Sequence, residues 1–394
     1  MSRYDEDMPV TDDPLLAGPP RRPLPSRPQG RPMGRPAGRP MGRPRRTGSG
    51  GRSLSGLVAA VAIVLIGAVA LGLGRNGSSS TSESSVAADP SAPVASSKSV
   101  VVSDPANTAL VRWVAGGLVR VQSIVPPGAN GHTYEPVPGD AIVAATADLY
   151  IDNGRGLNDS VTNFVRTNYR AGTPEIVLSD VIPENEVIAT DSAEQIAAHG
   201  HAHSFNAHFW TDPIYASRYV EQIATALGSI DPANAATYTA RAQEFVARMA
   251  TYDSAFRAAI ASIPEANRKL VVYHDSWSYF GRRYGIPVVG AIQPVSFSEP
   301  SADEVRRMID QIRAEQVPAF FGSEVFPSDV LDAIAAETGA AYYADLSDEE
   351  LPGTPGTPEY SYEGMMLKNV RLITSALGGD TTILDSLVLP EAVS

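Results

Sequence analysis

The stretch Asp231–Ile263, DPANAATYTARAQEFVARMATYDSAFRAAIASI, decides how the rest of the chain is read. Asp231 stands as an N-cap and Pro232 at the first helical position, and neither Gly nor Pro interrupts the run between Ala233 and Ser262. Tyr238, Ala242, Phe245, Val246, Met249 and Phe256 recur at helical spacing, which predicts one helix of roughly 45 Å at 1.5 Å per residue. A helix of that length, unbroken, acts as a strut between two bodies rather than as a hinge.

Both flanks carry the same rhythm of short apolar strands alternating with helices, the signature of parallel α/β layers. Before the helix, strands are expected at Val100–Val102, Leu118–Val125, Leu149–Ile151 and Ile176–Leu178. After it come strands at Leu270–Tyr273, Val288–Ile292, Ala319–Gly322 and Ala341–Ala344, with helices at Trp277–Tyr284, Ala302–Glu315, Pro327–Thr338 and Gly364–Leu377. The fold class is therefore α/β: two lobes with parallel sheets, 99–232 and 268–394, joined by one long rigid helix over 233–267.

What precedes the lobes is of another kind. Residues 1–53 are rich in Pro, Gly and Arg, with a GRPx repeat from Gly30 to Met41, too poor in apolar residues to offset chain entropy; a disordered cytoplasmic tail is expected. Leu54–Gly74 contains no charge over 21 residues, long enough to cross a hydrocarbon core. Arg43, Arg45, Arg46 and Arg52 precede it, so the positive-inside rule leaves the lobes outside the cytoplasm. The span reads as an uncleaved signal anchor, with cleavage near Val86-Ala87-Ala88 as the alternative; a start at Met41 would leave a compact basic leader. Residues 75–98 read as a flexible Ser-rich linker.

The formal charge of −13 conceals two halves. Residues 1–52 hold eleven Arg against five acids, whereas the chain from Asn76 carries a net −20. So acidic a body disfavours nucleic acid and favours cations. Cysteine is absent, which removes disulfides, thiolate ligands and a lipid-modified Cys, and leaves N and O donors for any metal.

The six histidines sort into three places: His132; the group His199, His201, His203 and His208; and His274. His132 follows the strand Leu118–Val125, His274 ends the strand Leu270–Tyr273, and His208 precedes Asp212, a helix cap. Asp348 follows Ala341–Ala344. Ligands in open α/β sheets bind beyond the carboxyl ends of the strands, so three imidazoles and one carboxylate from two lobes can form a four-coordinate site between them.

These motifs resemble the metal-specific solute-binding proteins of zinc and manganese ABC importers. Gly131-His132-Thr133-Tyr134-Glu135-Pro136 is similar to the family's first-ligand motif, followed by Ala147-Asp148-Leu149 and Gly154-Arg155-Gly156-Leu157. His208-Phe209-Trp210-Thr211-Asp212-Pro213, Tyr273-His274-Asp275-Ser276-Trp277 and Leu346-Ser347-Asp348 are similar to the second, third and fourth, and Glu299-Pro300-Ser301 and Phe321-Gly322-Ser323-Glu324 fit as well. The resemblance implies a monomer whose lobes move little, which captures an ion at His132, His208, His274 and Asp348 and hands it to a permease and its ATPase. The family's usual lipid-attached Cys or cleaved signal is replaced here by the span.

Three nitrogens and one carboxylate favour Zn2+, with Mn2+ as the alternative. The string His199, His201 and His203 reads as an accessory loop that raises local ion concentration or gates entry. A zinc-stabilised adhesin is a rival reading. A zinc hydrolase is disfavoured, because four donors close the site and no HExxH occurs, leaving only Glu135 and Asp275 as bases by proximity. No enzyme is expected.

Overall fold

The computed structural model describes residues 96–190, 204–293, 300–322 and 329–392. The tail, the 54–74 span, most of the 75–98 linker and the string His199, His201 and His203 lie outside the described residues, as do Glu299, Ser323 and Glu324. Among the described residues no helix is long and apolar enough to cross a membrane.

The first lobe runs β1 (Ser99–Val102), α1 (Pro105–Ala115), β2 (Arg120–Ser123), α2 (Pro138–Ala145), β3 (Leu149–Asp152), α3 (Asp159–Asn168) and β4 (Glu175–Val177). Two long helices follow, α4 (Pro213–Ile230) and α5 (Ala235–Ser262). The second lobe adds β5 (Leu270–His274), α6 (Ser278–Tyr284), β6 (Val288–Gln293), α7 (Ala302–Glu315), β7 (Ala319–Phe321), α8 (Asp329–Thr338), β8 (Ala341–Tyr343) and α9 (Tyr362–Ala376).

Each lobe holds a four-stranded, wholly parallel sheet, ordered β2-β1-β3-β4 in one and β6-β5-β7-β8 in the other. The two orders are one topology used twice. The central strands β1, β3, β5 and β7 are buried along their whole length, as parallel strands covered on both faces must be. That is why they read as apolar runs without alternation.

The expected strut forms, 28 residues and about 42 Å long. It begins three residues later than the sequence suggests. Pro232–Asn234 forms a single 3-10 turn, and the Asp231 carboxylate accepts from Tyr238 Oη at 2.6 Å and Asn234 Nδ2 at 2.8 Å instead of capping the first turn. The strand expected at Leu118–Val125 contracts to β2, because Gly116 and Gly117 turn the chain at positive φ after α1. The closing helix starts at Tyr362, with Ser361 Oγ accepting from Gly364 N as its cap.

α5 buries Tyr238, Ala242, Phe245, Met249, Tyr252, Phe256, Ala259 and Ile260 on one face. A single apolar core runs from Val100 and Val102 of the first lobe, through this face, to Leu270, Met365 and Ile373 of the second. Ion pairs reinforce it: Arg248 of α5 meets the buried Glu363 of α9 at 2.8 Å, and Arg283 of α6 meets Asp212, whose carboxylate also caps α4. Phe245→Ala is expected to cost about 3–5 kcal/mol. Since the core is continuous, far-UV circular dichroism and fluorescence of Trp113, Trp210 and Trp277 should report one coincident denaturant transition; separate transitions for the two lobes would refute a shared core.

Candidate metal centre

Each of the four site residues named from sequence follows a strand end or precedes a helix cap, and local chemistry fixes each one. The loop after β2 is folded by two asparagines. Asn130 Oδ1 accepts from His132 N at 2.8 Å and Thr133 N at 3.0 Å, and Asn158 Nδ2 donates to Gly131 O at 2.7 Å and Tyr134 O at 3.1 Å. His208 sits before a 3-10 turn, Phe209–Thr211, that leads into the Asp212 cap of α4. Asn153, at the end of β3, donates to Ala207 O at 3.0 Å and so ties that segment to the first sheet. His274 is the last residue of β5 and is 6% exposed. Asp348 follows β8, on a turn whose Ser347 backbone is held by Asn369 through both its N–H and its carbonyl.

The three imidazoles converge. His132 Nε2 and His208 Nε2 are 2.9 Å apart, His274 Nε2 and His208 Nε2 3.1 Å, and the ligand atoms of all three lie within 4.8 Å of one another. Tetrahedral zinc with Zn–N bonds of about 2.0–2.1 Å requires nitrogens roughly 3.3 Å apart. The preformed spacing is close to that.

Which nitrogens carry protons follows from the partners. His132 Nδ1 faces the carbonyl of Leu157 at 3.1 Å and must donate to it. Asn206 donates from Nδ2 to Asp275 O at 2.7 Å, so its Oδ1 is the atom that accepts both His208 N and His208 Nδ1, each at 3.0 Å. In the neutral rings both Nε2 atoms then turn lone pairs toward one another. A cation between them makes that arrangement favourable.

A proton is disfavoured there. Burial pushes the His132 imidazole down to about 4 and holds His208 well below its ordinary value, with His274 and His132 adding to the effect at His208. Asp348 is 2% exposed; burial raises its carboxyl, while His274, a hydrogen bond from Ser276 and His132 act the other way. Its backbone carbonyl accepts from Trp210 Nε1 at 2.6 Å, which anchors the turn of the second lobe to the His208 segment.

The acidic run Asp345–Glu350 suggests a solvated turn, yet Glu349 is as buried as Asp348. Its Oε1 lies 3.3 Å from His132 Nε2, its Oε2 accepts from Gly131 N at 2.7 Å, and burial lifts its carboxyl to about 8. Sequence reasoning also passed over Asn206, whose only signal is its place two residues before His208. The two bases considered for a hydrolase are otherwise engaged: Asp275 accepts from Ser278 Oγ at 2.6 Å, and the exposed Glu135 accepts from Ser160 Oγ at 2.7 Å.

Three clustered imidazoles at a cleft between two parallel-sheet lobes bridged by a long helix define the class of metal-binding solute-binding proteins. The model of the zinc-uptake complex component A periplasmic family matches residues 100–376, and the chain belongs to that family, whose members serve ABC importers and are not enzymes. The iron-binding protein YfeA of Yersinia pestis is 30% identical over 266 residues, 67% of this chain and 81% of that protein. The manganese-binding lipoprotein MntA of Bacillus subtilis is 26% identical over 276 residues, 67% of this chain and 84% of that protein. The solved structure of the periplasmic zinc-binding protein TroA of Treponema pallidum superposes with a TM-score of 0.64 at 25% identity, over 72% of this chain and 99% of that one.

Burial pushes the Glu349 carboxyl up to about 8, so a cation that draws on this carboxylate near pH 7 must displace a proton. Binding should therefore tighten as pH rises. Calorimetry at pH 7 in buffers of different ionisation enthalpy should show about one proton released per ion, with affinity falling by up to about tenfold per pH unit below pH 8. No proton release, or affinity flat from pH 6 to 8, would remove the buried acid from the charge balance.

Proposed function

We propose that this chain captures Zn2+ outside the cytoplasm with His132, His208, His274 and Asp348 and delivers it to an ABC permease powered by its ATPase. The opposed lone pairs of His132 and His208, 2.9 Å apart with both Nδ1 protons committed elsewhere, carry the reading. Three imidazole donors favour zinc over manganese on ligand softness. Relatives named for iron, manganese and zinc make the choice of ion the point to test.

In this reading the 54–74 span anchors the lobes at the outer membrane face, and the string His199, His201 and His203 concentrates ions at the entrance. The cleft that reaches the site is lined by Arg155, Asn158, Asp159, Thr190, Ser204 and Asp275. Thr190 and Ser204 on that lining border residues 191–203 in sequence, the segment that carries the string. The continuous core through α5 supports lobes that move little, with the ion entering and leaving through the loops.

The test is competitive titration of the metal-stripped protein with Zn2+, Mn2+ and Fe2+. One tight Zn2+ that the others do not displace is expected, with His274→Ala weakening it by about 100-fold or more. Preference for Mn2+ or Fe2+ would transfer the reading to that ion. Absence of any tight site, or collapse of the fold on chelation as in a zinc-stabilised adhesin, would overturn it.

A further inference from the structure

Resting on the metal-capture reading above, we infer that Glu349 is a further oxygen donor to the ion and the residue that sets the preference between zinc and harder divalent ions. It follows Asp348 directly on the turn after β8, and both side chains are buried, Asp348 within the electrostatic reach of His274 and His132 and Glu349 beside His132. Glu349 Oε1 stands 3.3 Å from His132 Nε2, the same nitrogen that faces His208 across 2.9 Å, so this oxygen borders the volume an ion would fill.

The loop opposite is shaped to receive it. Glu349 Oε2 accepts from Gly131 N at 2.7 Å, and a Cβ at position 131 would lie only 2.8 Å from that oxygen. Glycine at 131 leaves the room that the carboxylate occupies. One oxygen is thereby fixed to the backbone of the first lobe, and the other is directed at the imidazole cluster.

The chemistry is that of donor number and hardness. Three imidazoles and Asp348 would supply the four donors that zinc takes in closed sites. A fifth donor that is a carboxylate oxygen adds little to zinc, whereas Mn2+ and Fe2+ accept higher coordination and favour oxygen. Glu349 thus moves a zinc-type nitrogen set toward the harder ions.

Glu349→Gln tests this, because the amide oxygen still accepts from Gly131 N while the anionic donor is lost. Dissociation constants for Zn2+ and Mn2+ would be measured on the full chain and the variant, together with the metal-edge X-ray absorption of the Mn2+-loaded forms. The expected result is a loss of Mn2+ affinity about tenfold larger than the loss for Zn2+, and one fewer oxygen in the Mn2+ shell. Equal losses for both ions, or no loss, with an unchanged shell would make Glu349 only a contact between the lobes and overturn the inference. Thermal unfolding of the metal-free proteins controls for folding; if Glu349→Gln is destabilised, Glu349→Asp, which keeps the charge but withdraws the oxygen by one methylene, should show the same selective loss. A wild-type chain that binds neither ion tightly would instead sink the metal-capture reading itself.

Discussion

His132 and His208 turn their Nε2 atoms to each other at 2.9 Å because amide and carbonyl oxygens hold the Nδ1 protons on the far side of each ring. A cation placed between them turns that opposition into coordination. The opposition is maintained by groups that neither titrate nor carry charge. Asn206 fixes the His208 ring and, through Asp275 O, ties it to the segment of His274; Asn130 and Asn158 shape the His132 loop, and Asn369 grips the turn of Asp348 and Glu349. An amide suits the task, since it donates and accepts at once and competes weakly with imidazole and carboxylate for an ion.

Such alignment requires that segments from both lobes meet in fixed register, which the fold secures twice over. Each sheet has the same strand order, so each places the carboxyl ends of its central strands at a topological switch point, and these two ends face a common cleft. The core that runs through α5 then leaves no apolar seam along which the lobes could part cheaply. Opening a hinge would expose Phe245, Met249 and Phe256, each contributing about 1.5–3 kcal/mol of burial. The loops that carry His132 and Asp348 are fixed in addition by side-chain hydrogen bonds.

Much of this was legible in the sequence because it depends on local periodicity. The α5 run shows its length, the buried central strands show as unalternated apolar triplets, and the histidines stand where strands end. What was hidden depends on side-chain pairing. Asp231 resembles an N-cap, but the 3-10 turn at Pro232–Asn234 gives its carboxylate to Asn234 and Tyr238, three and seven residues on. The Asp348-Glu349-Glu350 run resembles a solvated turn, since charge clusters usually are. Asp348 and Glu349 are buried and Glu350 is half-buried, with Trp210, Gly131 and Gly128 from elsewhere in the chain supplying their donors. No periodicity records such a pairing.

The burial of those acids bears on how one site can both capture and surrender its cargo. Asp348 and Glu349, with Asp104 and Asp152 behind them at the ends of β1 and β3, form a nest of carboxyls whose ionisation is opposed by burial. Burial makes these carboxyls reluctant to ionise, and a divalent cation beside them would favour their charged forms. Because Gly131 N holds Glu349 and Trp210 Nε1 holds the Asp348 carbonyl, the carboxylate turn is tied directly to the segments of His132 and His208, and a disturbance of one side reaches the other.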